Sequence, residues 1–199
     1  MKKFLLYLMI QVFLLLSGMI TSRAQTTLSA GDIVLLAFNG DGEYSTGITQ
    51  DGFSFMPLVN LEAGTEIYFT EIGWSDLANA FIYSTEINDQ MVKYTAPTPI
   101  AAGTIIRNDE MNTNGFTAYS SNTTYTTAFF EVFNNGNGTG EELLVFQGSR
   151  ATPTFIFAVS HRPAGWETNV PAGGVTTGDG SALPPGLIND VTCFIFSPR

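Results

Sequence analysis

The chain has 199 residues, 44% of them hydrophobic, and its 18 acidic residues outnumber 8 basic ones for a formal net charge of −10. Such a charge repels phosphate backbones and anionic lipid surfaces, which argues against nucleic acid as a partner. It is compatible with divalent cations, basic partners or simple solubility. The single cysteine, Cys193, cannot form an internal disulfide, so stability must come from a hydrophobic core.

The first predicted element is a signal peptide. Two lysines precede an apolar stretch, 4–20, and Ser22 and Ala24 occupy the small-residue positions of a cleavage site. The alternative is a membrane anchor, but the stretch is shorter than the roughly 20 apolar residues that cross a bilayer. We therefore expect 1–24 to be removed and 25–199 to form one secreted or cell-surface domain, with no membrane insertion afterwards.

The remaining sequence predicts strands and no substantial helix. Short runs of β-branched and aromatic residues alternate with Gly, Asn, Thr and Pro, which is typical of an all-β sandwich with roughly eight to ten strands. One stretch, 75–81, is compatible with a single helical turn capped by Ser75 or Asp76. Strands are expected at 33–38, 53–59, 65–70, 91–94, 104–107, 126–133, 142–147, 155–160 and 191–196.

A short motif occurs three times directly before a predicted strand. It reads LSAGDIV from Leu28, LEAGTEI from Leu61 and IAAGTII from Ile100. We expect the apolar residue to enter the core and the glycine to supply a turn with positive φ. Proline-containing variants begin at Val170 (VPAGG) and Leu183 (LPPG). The unequal spacing argues against a solenoid, so the motif is interpreted as a recurrent strand-starting turn.

Two connections are predicted from composition. The Asn/Gly-rich stretch FNNGNGTGEE lies between the strands expected at 126–133 and 142–147, and it predicts a β-hairpin. The stretch from Arg162 to Leu187 contains several prolines and few strand formers, so we expect a long surface connection.

No catalytic constellation is recognisable in the sequence. His161 is the only histidine, Cys193 lies in an apolar run that would raise its pKa, and no G-x-S-x-G stretch occurs. Zinc would need more His and Cys ligands than one of each. We therefore expect a protein that is not an enzyme. The alternative is a hydrolase of unknown specificity that uses His161 or an unrecognised pair of carboxylates.

Calcium is the one cofactor that the sequence favours. In NGDGE, Asn39, Asp41 and Glu43 alternate with glycines that let the backbone fold round a hard cation. The stretch NDEMNTNG, with Asp109, Glu110, Asn112 and Asn114, is a weaker candidate of the same kind. The alternative for both is an ordinary hairpin turn, in which Asn, Asp and Gly are favoured for conformational reasons.

Glu71 is a further candidate metal ligand. Strand alternation in TEIYFTEIGW places Ile67, Phe69 and Glu71 on one face, so a carboxylate would lie at the rim of the core and would need a partner. The favoured alternative is that the strand ends at Thr70 and that Glu71 is solvated.

Trp74 and Trp166 are candidate ligand-binding residues. Both lie beside glycine in stretches expected to be loops, where exposed indole rings stack on sugars. The alternative is core packing, which explains most aromatic residues of a sandwich, Tyr83 and Tyr94 among them.

Five stretches in order resemble a module found near the N-terminus of secreted bacterial proteins. They are AGDIVLLAFNGDG, FMPLVNLEAGTEIYFTEIGW, YTAPTPIAAGTII, GEELLVFQG and PTFIFAVS, and the whole resemblance covers about Ala30 to Leu187. The chain departs from that pattern at Glu71, Tyr94 and Glu141, where the module has Asp, Trp and Asp. The pattern is more distantly similar to lamin-tail-like, immunoglobulin-like sandwiches.

The resemblance implies an exported β-sandwich without an established catalytic centre, often joined to further domains. Because the module's pattern continues beyond LPPGL, we expect this chain to be truncated at its C-terminus. The expected function is a non-catalytic binding, adhesion or structural module for an unknown protein or glycan ligand at or outside the bacterial cell surface. The first alternative is a carbohydrate-binding domain that uses exposed tryptophan, and the second is the hydrolase.

Overall fold

A computed structural model shows an all-β architecture. It describes residues 24–39, 52–82, 91–109, 114–119, 142–160, 162, 165–173 and 180–195. Eleven strands and no helix occur in this part of the chain. The strands are β1 (Ile33–Asn39), β2 (Gly52–Pro57), β3 (Glu66–Thr70), β4 (Trp74–Ser75), β5 (Ala80–Phe81), β6 (Met91–Thr95), β7 (Ile106–Asp109), β8 (Phe116–Ala118), β9 (Glu142–Ser149), β10 (Thr152–Ser160) and β11 (Cys193–Ile195).

The strands form a six-stranded sheet and two smaller sheets. The large sheet has the order β11-β10-β9-β3-β6-β8, and β10 and β11 are its parallel pair. The second sheet has the order β1-β2-β7, and β4 and β5 form a separate two-stranded ribbon. The predicted all-β class is therefore confirmed, and the layers are those of a β-sandwich.

The main core lies between the large sheet and β1-β2-β7. Phe53 and Phe55 of β2 contact Phe69 of β3, with ring centroids 4.7 and 4.9 Å apart. Tyr94 and Phe116 complete the aromatic cluster, each in contact with Phe55. Burial of one such side chain contributes about 1.5–3 kcal/mol, so this cluster is a principal source of stability.

A second core covers the other face of the large sheet. In β9, Leu143 and Val145 face the first core while Leu144 and Phe146 face the second, so the central strand is apolar on both faces. Trp74 contacts Phe155 across this second core at 5.0 Å between ring centroids. Other contributors are Phe81, Ile82, Val170, Ala182, Leu187 and Cys193.

The repeated motif is confirmed as a strand-starting turn. Gly31, Gly64 and Gly103 have φ of 92°, 83° and 84°, and in each motif the residue after the glycine donates its N–H to the carbonyl three residues back. Each glycine N–H also donates to a neighbouring strand or loop, with N···O distances of 2.8 Å to Ile156, Ala96 and Pro57 respectively. Gly186 in LPPG shares the positive φ, whereas Gly173 in VPAGG does not.

One prediction about local structure is wrong, and one strand begins later than expected. The stretch 75–81 contains no helical turn but the β4–β5 ribbon, in which Trp74 pairs with Phe81. The Ser75 hydroxyl does accept a hydrogen bond from the Ala78 N–H at 3.0 Å, so it stabilises a turn of the ribbon instead. The strand expected from Thr104 begins only at Ile106, because Thr104 still belongs to the preceding turn.

The predicted hairpin onto β9 stays a prediction. In the described part of the chain, strand β9 pairs with β10 along its whole length and with β3 over Leu144–Phe146. The expected partner, 126–133, lies outside the described residues. The connection from Arg162 to Leu187 was expected to lie on the surface, but two of its described residues, Val170 and Ala182, are buried in the second core.

A helix with the length and apolarity of a membrane span does not occur among the described residues.

Candidate functional site

The segment that follows the predicted cleavage point is fixed by hydrogen bonds. The Thr26 N–H donates to the Thr65 hydroxyl at 3.0 Å, and the Thr26 hydroxyl accepts from the Glu62 N–H at 2.8 Å. The buried Leu28 donates its N–H to the side-chain oxygen of Gln147, whose amide nitrogen donates to the Thr26 carbonyl. These bonds attach the start of the domain to β3 and β9.

This segment forms one wall of an open polar cleft of about 170 Å³. The other walls come from β3 and from the C-terminal end of β9. We call it the N-terminal cleft, and its lining residues are Gln25, Thr26, Thr27, Glu66, Tyr68, Gln147 and Gly148.

The carboxylate of the N-terminal cleft is paired. Glu66 accepts hydrogen bonds from the Lys93 ammonium at 2.6 Å and from the Tyr68 hydroxyl at 3.1 Å. Burial, followed by the charge of Glu66, raises the pKa of Tyr68 to about 12, so its hydroxyl remains a donor at physiological pH. The cleft therefore combines donors and acceptors with a locally balanced charge.

An exposed aromatic ring stands beside the cleft. Tyr68 stacks on Phe146 with centroids 5.1 Å apart, and its ring meets Tyr119 at 4.9 Å in an edge-on arrangement. Tyr119 is 44% exposed. Because Tyr68 is itself held by Phe146, the outer ring rests on a rigid support.

A buried ionic cluster occupies the opposite end of β9. Glu142 is fully buried and lies 3.9 Å from the Arg162 Nε, while an Arg162 terminal nitrogen is 3.2 Å from Glu167. The Ser160 hydroxyl and the Ser181 N–H donate to the same Glu142 oxygen, each at 3.4 Å. Since these groups join β9 and β10 to the crossover, their arrangement serves to fasten the second core.

The two tryptophans differ from the expectation for exposed loop residues. Trp74 is only 3% exposed, because Phe81 and Phe155 meet its ring edge-on at 5.4 and 5.0 Å. No face of it is available for stacking on a sugar, so the prediction of an exposed Trp74 is wrong. Trp166 is half-buried and packs against the second core.

Cys193 and Glu71 are both buried in the structure. Burial raises the pKa of Cys193 to about 11, the direction that its apolar surroundings predict. Strand β3 does end at Thr70, yet Glu71 is only 6% exposed, so its expected solvation is wrong. Alternation still directs its side chain inward after Phe69.

Two of the calcium candidates that the structure describes, Asn39 and Asp109, lie at one end of the second sheet. Asn39 ends β1 opposite Gly52, which pairs with Asp109 at the end of β7. Phe53 contacts Phe69, two residues before Glu71, so Glu71 comes to the same end. Asp41, Glu43, Glu110 and Asn112 lie outside the described residues, as do Tyr83 and His161.

Among the described residues, no group of three or more His, Cys, Asp or Glu side chains could hold a metal ion. The calcium site therefore stays a prediction.

Sequence reasoning missed Glu66, Tyr68, Lys93, Gln147 and Tyr119. The alternation that assigned Ile67 and Phe69 to the core also puts Glu66 and Tyr68 together on the other face. The sequence could therefore have predicted that these two cleft residues lie side by side. The pairing of Tyr68 with Lys93 depends on the β3–β6 register.

Comparisons of the chain with protein-family models, curated proteins and solved structures return no match, so the family resemblance remains a prediction.

Proposed function

We propose that this chain is a secreted, non-catalytic binding module that acts at or outside the bacterial cell surface through its N-terminal cleft. The observation that carries the proposal is the cleft itself, which is open and polar while the surrounding sheet faces are filled by two apolar cores. Open cavities with a few convergent polar groups are the usual places for ligands.

The state of its carboxylate favours binding over catalysis. General acid–base chemistry needs a group that exchanges protons with a substrate, whereas both contacts of Glu66 hold it as an ion-paired acceptor. The neighbouring groups are hydroxyls and amides, which orient a ligand without reacting with it. A pair of carboxylates of the kind that glycosidases use is not found among the lining residues.

The cleft is rigid because hydrogen bonds and a stacked pair of rings hold its wall and floor. One wall is fixed by the bonds of Thr26 and Gln147, and its floor rests on the stacked pair of Tyr68 and Phe146. Preformed walls lower the entropy lost on association, which suits a module whose work is recognition.

Export is tested by fractionating a bacterial host that expresses the full reading frame. We expect the product outside the cytoplasm with Gln25 as its first residue, by N-terminal mass spectrometry. A cytoplasmic product that keeps residues 1–24 would contradict the proposal.

Binding is tested by sedimenting the purified product with envelopes of the bacterium that encodes it. We expect saturable retention that falls at least tenfold in Thr27→Trp, because the indole fills the cleft from its exposed wall. Leu58→Trp is the matched control, since Leu58 is 50% exposed and does not line the cleft. An unretained wild type, or equal losses in both variants, would overturn the proposal.

A further inference from the structure

We infer that the N-terminal cleft, together with Tyr119, recognises a neutral oligosaccharide, one sugar residue entering the cleft while the next lies against the Tyr119 ring. This inference rests on the proposed binding function and specifies its ligand.

Charge is the first argument. Among the described residues that line the cleft, Glu66 and Tyr68 carry the ionisable side chains, and the Lys93 ammonium neutralises Glu66 at 2.6 Å. A strongly charged ligand would have to compete with that ion pair for its partner. A neutral ligand can use the oxygens of Glu66 that the pair leaves in part to solvent, since its side chain is 31% exposed.

The chemistry of the lining groups is the second argument. Thr27 offers a hydroxyl, Gln25 an amide and Glu66 a carboxylate, so the residues that line this small space carry both donors and acceptors. A sugar hydroxyl both donates and accepts, and it fits such a mixed set better than a group that can do only one. The cleft is smaller than the roughly 300–1,000 Å³ of drug-sized sites, so it holds a single ring.

The exposed ring is the third argument. A pyranose has apolar C–H faces and a polar rim, and aromatic faces cover such C–H surfaces well. Tyr119 presents a large, rigid side chain at a low cost in conformational entropy, because Tyr68 supports it. Two residues before it, Thr117 of β8 is exposed and pairs with Lys93 of β6. Polar groups therefore flank the ring where the rim of a sugar would lie.

The test measures binding of the purified product by isothermal titration calorimetry. The neutral probes are cellohexaose, maltohexaose, xylohexaose and mannohexaose, and the charged probes are oligogalacturonate and chitosan hexamer. We expect saturable binding of at least one neutral probe and none of either charged probe. In Tyr119→Ala and in Thr27→Val the affinity for that probe should fall at least tenfold.

Leu58→Ala is the matched control, because it truncates a similarly exposed side chain away from the cleft. It should bind like the wild type. Thermal unfolding of every variant separates lost binding from lost folding, and Tyr119→Phe keeps the ring if Tyr119→Ala unfolds. The inference is overturned if no neutral probe binds, if only a charged probe binds, or if Tyr119→Ala and Thr27→Val bind unchanged.

The envelope experiment distinguishes this failure from that of the proposed function. Retention on envelopes without binding of any neutral probe would leave a binding module whose ligand is a protein or a charged polymer. A wild-type protein that is not retained on envelopes at all would contradict both the proposed binding function and the oligosaccharide inference.

Discussion

At the scale of single residues, the repeated motif depends on glycine. Gly64 has a φ of 83° and open space where a Cβ would stand, so its requirement is purely conformational. Gly115 combines a positive φ with a close approach, since a Cβ there would lie 2.7 Å from the Tyr94 ring. At Gly64 there is room for a side chain, but its positive φ is unfavourable for any L-residue. At Gly115 both the positive φ and the lack of room exclude a side chain.

We therefore expect Gly64→Ala to lower the free energy of unfolding by about 1–2 kcal/mol, the usual cost of a left-handed conformation in an L-residue. Gly173→Ala is the matched control, because Gly173 also has open space but no positive φ. It should be neutral or stabilising by about 0.4–1 kcal/mol. Urea denaturation measures both changes, and equal losses would contradict the conformational explanation.

At the scale of elements, the crossover between β10 and β11 covers the second face of the large sheet. It is fixed at one end by Arg162 with Glu142 and Glu167, and in its middle by Asp76, whose carboxylate accepts hydrogen bonds from the N–H groups of Asn169 and Val170. The bond from Asn169 is the first cause of a lowered pKa at Asp76. Polar contacts thus attach an irregular segment that has few strand bonds of its own.

Arg162→Met should lower the free energy of unfolding by about 3–5 kcal/mol, since it removes the guanidinium that lies beside the buried Glu142 carboxylate. Adding Glu142→Leu should recover a large part of the loss. Lys93→Met is the control for a half-exposed pair and should cost less than about 1 kcal/mol. Equal midpoints for the two single variants in urea would refute the assigned role of the buried cluster.

At the scale of the whole molecule, burial in the two cores raises the pKa values of several weak acids. Burial raises the pKa of Tyr68 from 10.0 to about 12 and that of Cys193 from 9.0 to about 11, and it raises the pKa of Tyr94 as well. These groups belong to both cores, so alkaline pH acts on the entire sandwich.

Stability should therefore fall as the pH rises from about 9 to about 12. The unfolded chain releases these protons first, so the stabilisation is complete below the unfolded pKa values and is lost as the folded ones are passed. Denaturation in urea at a series of alkaline pH values measures the decline. Tyr68→Phe should make it shallower above about pH 10, and an unchanged slope in that variant would refute the contribution of Tyr68.

Local patterns could be predicted because they depend on neighbours in the chain. Turn residues determine their own φ, as at Gly31 and Gly103, and alternation assigns Ile67 and Phe69 to the core. These features established the all-β class and most strand positions. They could not give the partner of β9, because its apolar residues suit a neighbour on either edge.

The sequence by itself determined that this protein is an acidic all-β sandwich in which three strands, β1, β3 and β7, follow glycine turns, since those properties follow from composition and local sterics. Only the tertiary structure decided which polar residues meet. Register brought Lys93 beside Tyr68, and folding buried Trp74 under Phe81 and Phe155. It also placed Tyr119, from a separate segment, against Tyr68. Such meetings depend on long-range pairing and burial, which no single stretch of sequence encodes.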